Sequence, residues 1–297
     1  MWHVMTSEMD WKWMWLSFPF GILAQAIRGW RWCQTLEPMG DNPRKGVSVN
    51  SIFLSYAVSL VVPRIGEFTR CAVLKRYEGI SFTRALGTVV VERAVDSMLI
   101  LMITGAILMA QMPVFATFFD ETGVGLSATF GRFSQTGYLV TAICAVATIV
   151  LLFVFRSHLG IYNKVKTTAQ GIWEGVKSLR GVRHVPLFVA YSFGIWLCYF
   201  LHYYLTFFCF DFTRDLGLMC ALVTFIVGSI AVIVPTPNGA GPWHFAVKTM
   251  LVLYGVCDQK ALCFVLIVHS VQTLLVVALG IYAWLSLNFT RRIEKKK

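Results

Sequence analysis

The chain has 297 residues, of which 57% are apolar and only 14% charged, with a mean hydropathy of +0.67 and a formal net charge of +11. Soluble domains carry about 25% charged residues, so one water-soluble core is excluded. The longest polar stretch is too short for a soluble catalytic domain, and the whole of 1–297 reads as a single transmembrane domain.

A helical span needs roughly 20 apolar residues. In chain order, such runs fall at 13–33, 89–110, 137–155, 186–210, 216–234 and 261–287, with shorter apolar runs at 47–63 and 243–256. The expected fold is therefore all-α: a polytopic membrane bundle of about six or seven spans, with re-entrant or broken helices near 47–63 and 235–256. The first run is too long for a signal peptide, ends in Arg28 and Arg31, and lacks a small-residue cleavage site. Trp11, Trp13 and Trp15 suit an outer aromatic belt, and Trp30 and Trp32 mark the other end of that span.

Charge placement sets the course. Eighteen of the 26 Lys and Arg lie in 34–46, 64–88, 156–184 and 288–297. The segments 1–12, 111–136, 211–215 and 256–260 hold four of them and seven of the 15 acids. This is the positive-inside pattern, which points to a membrane and not to nucleic acid. It puts the N-terminus outside and the tail "RRIEKKK" in the cytoplasm, against anionic head groups. Segment 34–88 then stays cytoplasmic, so 47–63 dips in and returns, or ends part-way. Run 243–256 would span only about 21 Å as a helix, and is either a half-helix or a short crossing. Residues 160–181 fit an amphipathic interfacial helix or an ordinary loop helix equally well. A chain that begins at Trp13 with its N-terminus outside suggests one further, preceding span.

The eight cysteines are scattered singly, and Cys198, Cys209 and Cys220 lie in apolar runs where a thiol acts as a small hydrophobe. No disulfide, metal or cofactor is expected.

Three stretches carry chemistry. In "PRIGEFTR", Pro63 is expected to stop the preceding helix, and Arg64, Glu67 and Arg70 recur every three residues. On one helix they would share a side, where Glu67 would orient a guanidinium that holds an anion; the alternative is a charged juxtamembrane turn. In "VERAVD", Glu92 and Asp96 share a helix face and Arg93 can pair with Asp96. Charges inside a span are costly and face partners or a wet cavity, or pair with the charges of "PRIGEFTR". In "VPTPNGAGPWH", prolines and glycines interrupt an apolar run. Backbone breaks at membrane depth survive only in protein or beside water. Asn238, Gly239 and Gly241 permit the turn, and Pro242 suits the first position of a new helix. That helix start would aim free amides at an anion, with His244 as a further donor. The bland alternative is a packing kink with no ligand.

The blocks "VPRIGEFTRCAVLKRYEGISFTRALGTVVVERAVD" and "VPTPNGAGPWH" resemble the lysylphosphatidylglycerol synthase transmembrane-region family, often called flippase-like, over nearly the whole chain. In the late block Asn238 stands for a usual glycine and His244 for a usual acid. The soluble synthase domain of some members is absent, so synthase activity is not implied. The resemblance implies lipid translocation, or a related lipid-handling role, in a bacterial inner membrane. A membrane-embedded transferase on a lipid-linked donor and a secondary transporter of a small anion are the alternatives. No catalytic constellation is evident. The expected substrate-binding residues are Arg64, Glu67, Arg70, Glu92, Arg93, Asp96, Asn238, Gly239, Gly241 and His244, and the expected partner is a membrane lipid.

Overall fold

The computed structural model describes residues 9–110, 170, 173–174, 177–234 and 236–291. The run expected at 137–155, and most of the helix expected at 160–181, lie outside the described residues. Among the described residues the protein is entirely helical. The α-helices are α1 (Trp11–Leu36), α2 (Lys45–Ser59), α3 (Gly66–Glu78), α4 (Phe82–Ala110), α5 (Val185–Tyr204), α6 (Asp211–Arg214), α7 (Gly217–Ala231), α8 (Pro242–Leu253) and α9 (Asp258–Asn288). A 3₁₀ turn, Leu205–Cys209, extends α5. By length and composition, Val185–Cys209 and Asp258–Asn288 can cross a membrane.

A few polar ties fix which ends lie together. The Asp10 N–H donates to the Cys209 carbonyl, so the start of α1 meets the end of α5. At the opposite end, Arg183 lies 3.7 Å from Glu37. We call the end that holds Asp10 the upper end and the end that holds Glu37 the lower. Arg44 gathers three chain ends at the lower side: it bonds Glu78 at 2.8 Å, the Tyr77 carbonyl at 3.3 Å and the Arg291 carbonyl at 2.7 Å. Both α2 and α4 therefore rise from the lower end, while α3 and α9 descend to it.

The short helices form two hairpins. The first, α2–α3, rises from the lower end, and the second, α7–α8, descends from the upper. A helix of 15 residues, such as α2 or α7, is about 22 Å long against about 39 Å for the 26 residues of α1. Each hairpin thus reaches a little past half depth. Their turns, 60–65 and the stretches 232–234 and 236–241, meet there: Arg64 donates to the Ile233 carbonyl at 2.7 Å.

Pro63 is not what stops α2. The helix is over at Ser59. The Ser59 hydroxyl donates to the Ser55 carbonyl at 2.9 Å and accepts the Gly66 N–H at 3.2 Å. One hydroxyl thereby joins the end of α2 to the start of α3. A Cβ on Gly66 would run into the Ser55 carbonyl and the Ser59 hydroxyl, so the hairpin closes only around a residue with no side chain.

The apolar core follows the same division. At the upper end Tyr203, Phe207, Phe210 and Phe264 pack with Cys220 and Val247. At the lower end Trp32, Ile52, Leu74 and Tyr77 pack with Leu287. Between them α4 meets the second hairpin through Ile107, Val223, Ile226 and Met250. Cys198, Cys209 and Cys220 are buried and free, as small apolar side chains.

Candidate functional site

Beneath the hairpin turns lies a buried network of charge. Arg28 and Arg31, three residues apart on α1, face Glu92 and Asp96, four apart on α4. Asp96 accepts from Arg28 at 2.6 Å with one oxygen and from Arg31 at 2.8 Å with the other. Glu92 accepts from Arg70 of α3 at 2.7 Å and lies 3.7 Å from Arg31 Nε. Arg31 also donates to Ser192 of α5 at 3.1 Å. All five charged groups are at least 95% shielded from solvent. Aromatic faces flank the cations: Arg70 lies 4.7 Å from the Trp32 ring centre and Arg28 lies 5.8 Å from that of Tyr199. Three guanidiniums meet two carboxylates, so the network keeps one net positive charge. Among the described residues, Arg28 Nε, Arg31 Nη2 and Arg70 Nε and Nη2 have no hydrogen-bond acceptor.

Arg64, Glu67 and Arg70 do not form one face. Arg64 precedes α3, in a left-handed conformation at φ +67°, and reaches across to the second hairpin. Glu67 and Arg70 both turn toward α4 but meet different residues. Arg70 takes Glu92, and Glu67 takes Arg93 at 2.6 Å in a half-exposed pair. Glu67 thus holds neither Arg64 nor Arg70, and Arg93 does not pair with Asp96. The cause is the late start of α3 at Gly66, which leaves Arg64 off the helix.

The second turn is built from Pro237–Gly239 and the residues beside it. Asn238, Gly239 and Gly241 all have positive φ, at 52°, 73° and 89°. Pro242 opens α8. The Asn238 amide donates to Thr273 of α9 at 2.7 Å, and its carbonyl lies 3.1 Å from His269 Nε2. His244 acts as an acceptor here: its Nδ1 receives the Gly241 N–H at 3.2 Å. Its ring stands perpendicular to that of His269, centres 4.5 Å apart, and Trp243 stacks on the other imidazole at 5.2 Å.

Of the residues expected from sequence, the structure joins Arg70 with Glu92 and Asp96, and Glu67 with Arg93. Asn238, Gly239, Gly241 and His244 form a separate cluster. Arg64 ties the two regions through Ile233. Arg28, Arg31, His269 and Thr273 are not among the expected residues. Arg28 and Arg31 do carry a signal, since two arginines three apart in an apolar run share a face and require partners. His269 carries only the weaker signal of a lone ionisable group in a span.

Residues 4–280 match the model of the lysylphosphatidylglycerol synthase TM region. The chain belongs to this family. With its apolar helices, that membership makes it a membrane-embedded protein of the lysylphosphatidylglycerol synthase transmembrane-region type. It is also similar to "Glycosyltransferase AglD" of Haloferax volcanii, 25% identical across 90% of this chain. The chain spans 47% of that relative's length, about half. No solved structure matches it.

Proposed function

We propose that the chain is a lipid translocase that moves a phospholipid or another lipid-linked head group between leaflets while the tails stay in the bilayer. One observation carries this reading: two half-length hairpins enter from opposite ends and meet at half depth through Arg64 and Ile233. Interrupted helices whose ends meet inside a membrane domain are the recurrent way to build a polar site at mid-depth. In lipid such breaks are tolerated only within protein or beside water.

Within that site Arg64 is assigned to the head-group phosphate. It is exposed and, among the described residues, holds a single carbonyl, so a phosphate can take up the rest of its fork. The buried set Arg70, Glu92 and Asp96 holds the first hairpin in place, and Glu67 with Arg93 forms its rim.

Arg64→Ala should slow movement of a fluorescent phospholipid in proteoliposomes by about 10- to 100-fold, the equivalent of a charge-assisted hydrogen bond of roughly 1.5–3 kcal/mol. Arg64→Lys should also slow it, because a lysine does not reproduce the planar fork. A wild-type rate in Arg64→Ala protein that expresses normally would remove the assignment.

Charge placement supports an orientation with the lower end cytoplasmic and the upper end outside; six or seven spans and a bacterial inner membrane, the latter from the family resemblance, complete the proposal. In a protein without its native cysteines, a cysteine at Asp215 should react with an impermeant reagent from outside and one at Asn42 should not. The reverse pattern would invert the topology.

The name of the Haloferax relative favours a second reading, a transferase on a lipid-linked donor. Against it, Glu92 and Asp96 are each paired with arginines and not free to act as a base. Turnover of a lipid-linked sugar donor by the purified chain, without lipid movement, would favour that reading.

A further inference from the structure

We propose that His269 and His244 form a site for a single proton, and that its occupancy sets the conformation of the turn at 236–241. The translocase reading gives this site its use, since a proton bound there would reach the hairpin junction; the site itself rests on geometry alone.

The hydrogen bonds fix the neutral tautomer of His244 and leave that of His269 two choices. His269 Nε2 lies 3.1 Å from the Asn238 carbonyl, which only accepts, and 3.2 Å from the Asn238 side-chain amide nitrogen, which only donates. Neutral His269 can therefore donate to the carbonyl or accept from the amide. His244 Nδ1 accepts the Gly241 N–H, so its hydrogen lies on Nε2.

The two rings therefore respond differently to a proton. Protonated His269 carries hydrogen on both nitrogens, so its Nε2 can only donate, to the Asn238 carbonyl in a charge-assisted bond, and no longer accepts the Asn238 amide. On His244 a proton can add only at Nδ1, the atom that receives Gly241. Protonation there breaks the bond that starts α8. With ring centres 4.5 Å apart, two imidazolium charges repel strongly, and the pair takes one proton. His269 is its resting place; transfer to His244 opens the turn.

The surroundings leave this choice to the pair. His269 meets Trp243 and His244 from α8 and Asn238 from the turn, with Thr273 one helical turn further along α9. From α5, Tyr203 reaches only Trp243. From α2–α3, Arg64 reaches the same turn, at Ile233. Further along α8, Lys248 is paired with Asp258 at 2.7 Å. No carboxylate forms an ion pair with either imidazole among the described residues. A histidine inside a membrane domain with such partners is the usual material of a proton relay.

Trp243 supplies a readout separate from lipid movement, because a protonated imidazole stacked on an indole quenches its emission. In nanodiscs, wild-type tryptophan emission should fall on acidification below about pH 6.5. His269→Gln should lose that change, and Trp243→Phe should lose it too, whatever the folding of the first variant. His244→Gln should keep it, since glutamine can still accept the Gly241 N–H. In proteoliposomes, the pH dependence of lipid movement should vanish in His269→Gln and persist in Trp243→Phe. An unchanged emission titration in both His269→Gln and Trp243→Phe would overturn the proton site. A normal titration with no lipid movement at any pH would uphold the site and overturn the translocase reading instead.

Discussion

Asp96→Ala should cost about 3–5 kcal/mol of stability, the usual penalty for removing one partner of a buried ion pair. Asp96 receives Arg28 on one oxygen and Arg31 on the other, and the network around it already carries one positive charge in excess. Its loss leaves two excess charges with little solvent to screen them. Arg28→Met should be milder. It brings the network to neutrality, and Asp96 keeps Arg31. Thermal unfolding in detergent, followed by circular dichroism, measures both. An Asp96→Ala protein that melts with the wild type, or above Arg28→Met, would show that these contacts do not hold α1 against α4.

Gly241→Leu should abolish lipid movement and leave the protein folded. The glycine sits at φ +89° and ψ −78°, a conformation that L-residues rarely adopt, at a cost of roughly 1–3 kcal/mol. A Cβ there meets nothing within 4 Å, so leucine would displace no core contact and would project into the space beside the turn. Gly241→Ala separates the two effects, because it carries the backbone strain with little bulk. If both variants are inactive, the backbone conformation is what matters. If only leucine is inactive, the space is. His244→Ala should cost less than Gly241→Leu, since the backbone amides at the start of α8 remain. A fully active Gly241→Leu protein would mean that this turn does not face the lipid path.

Three long helices were legible as apolar runs: α1, α5 and α9 lie close to the expected 13–33, 186–210 and 261–287. Helix α4 begins earlier than the expected 89–110, and α7, expected at 216–234 as a full span, is instead a half-length arm of the second hairpin. The return of the chain after 47–63 was legible from charge, since basic loops on both sides demand it. The residue that ends α2 was not. Proline is the stronger local signal, yet Ser59 acts first, through a bond to Gly66 that exists only once the hairpin has closed. The same limit applies to the site. Glu92 and Asp96 announce buried charge, but their partners lie 22 to 68 residues away. No local spacing tells Arg31 from Arg93 as the one that meets Asp96. The union of Asn238 with His269 is likewise a product of packing between the second turn and α9.

Arg44 and its neighbours have a consequence for assembly. The wall against which α2 rests is α9, made long after it. Asn50 bonds Ser286 at 2.9 Å, Ala57 packs into the notch at Gly280, and Arg44 holds the Arg291 carbonyl. The first hairpin is thus synthesised about 200 residues before its own support. Until α9 arrives, α2 and the turn at 60–65 lack the wall they rest on in the finished fold. Contacts so distant in sequence are slow to form. They also make α9 a checkpoint for α2: a polypeptide that stalls before α9 leaves the first hairpin unsupported.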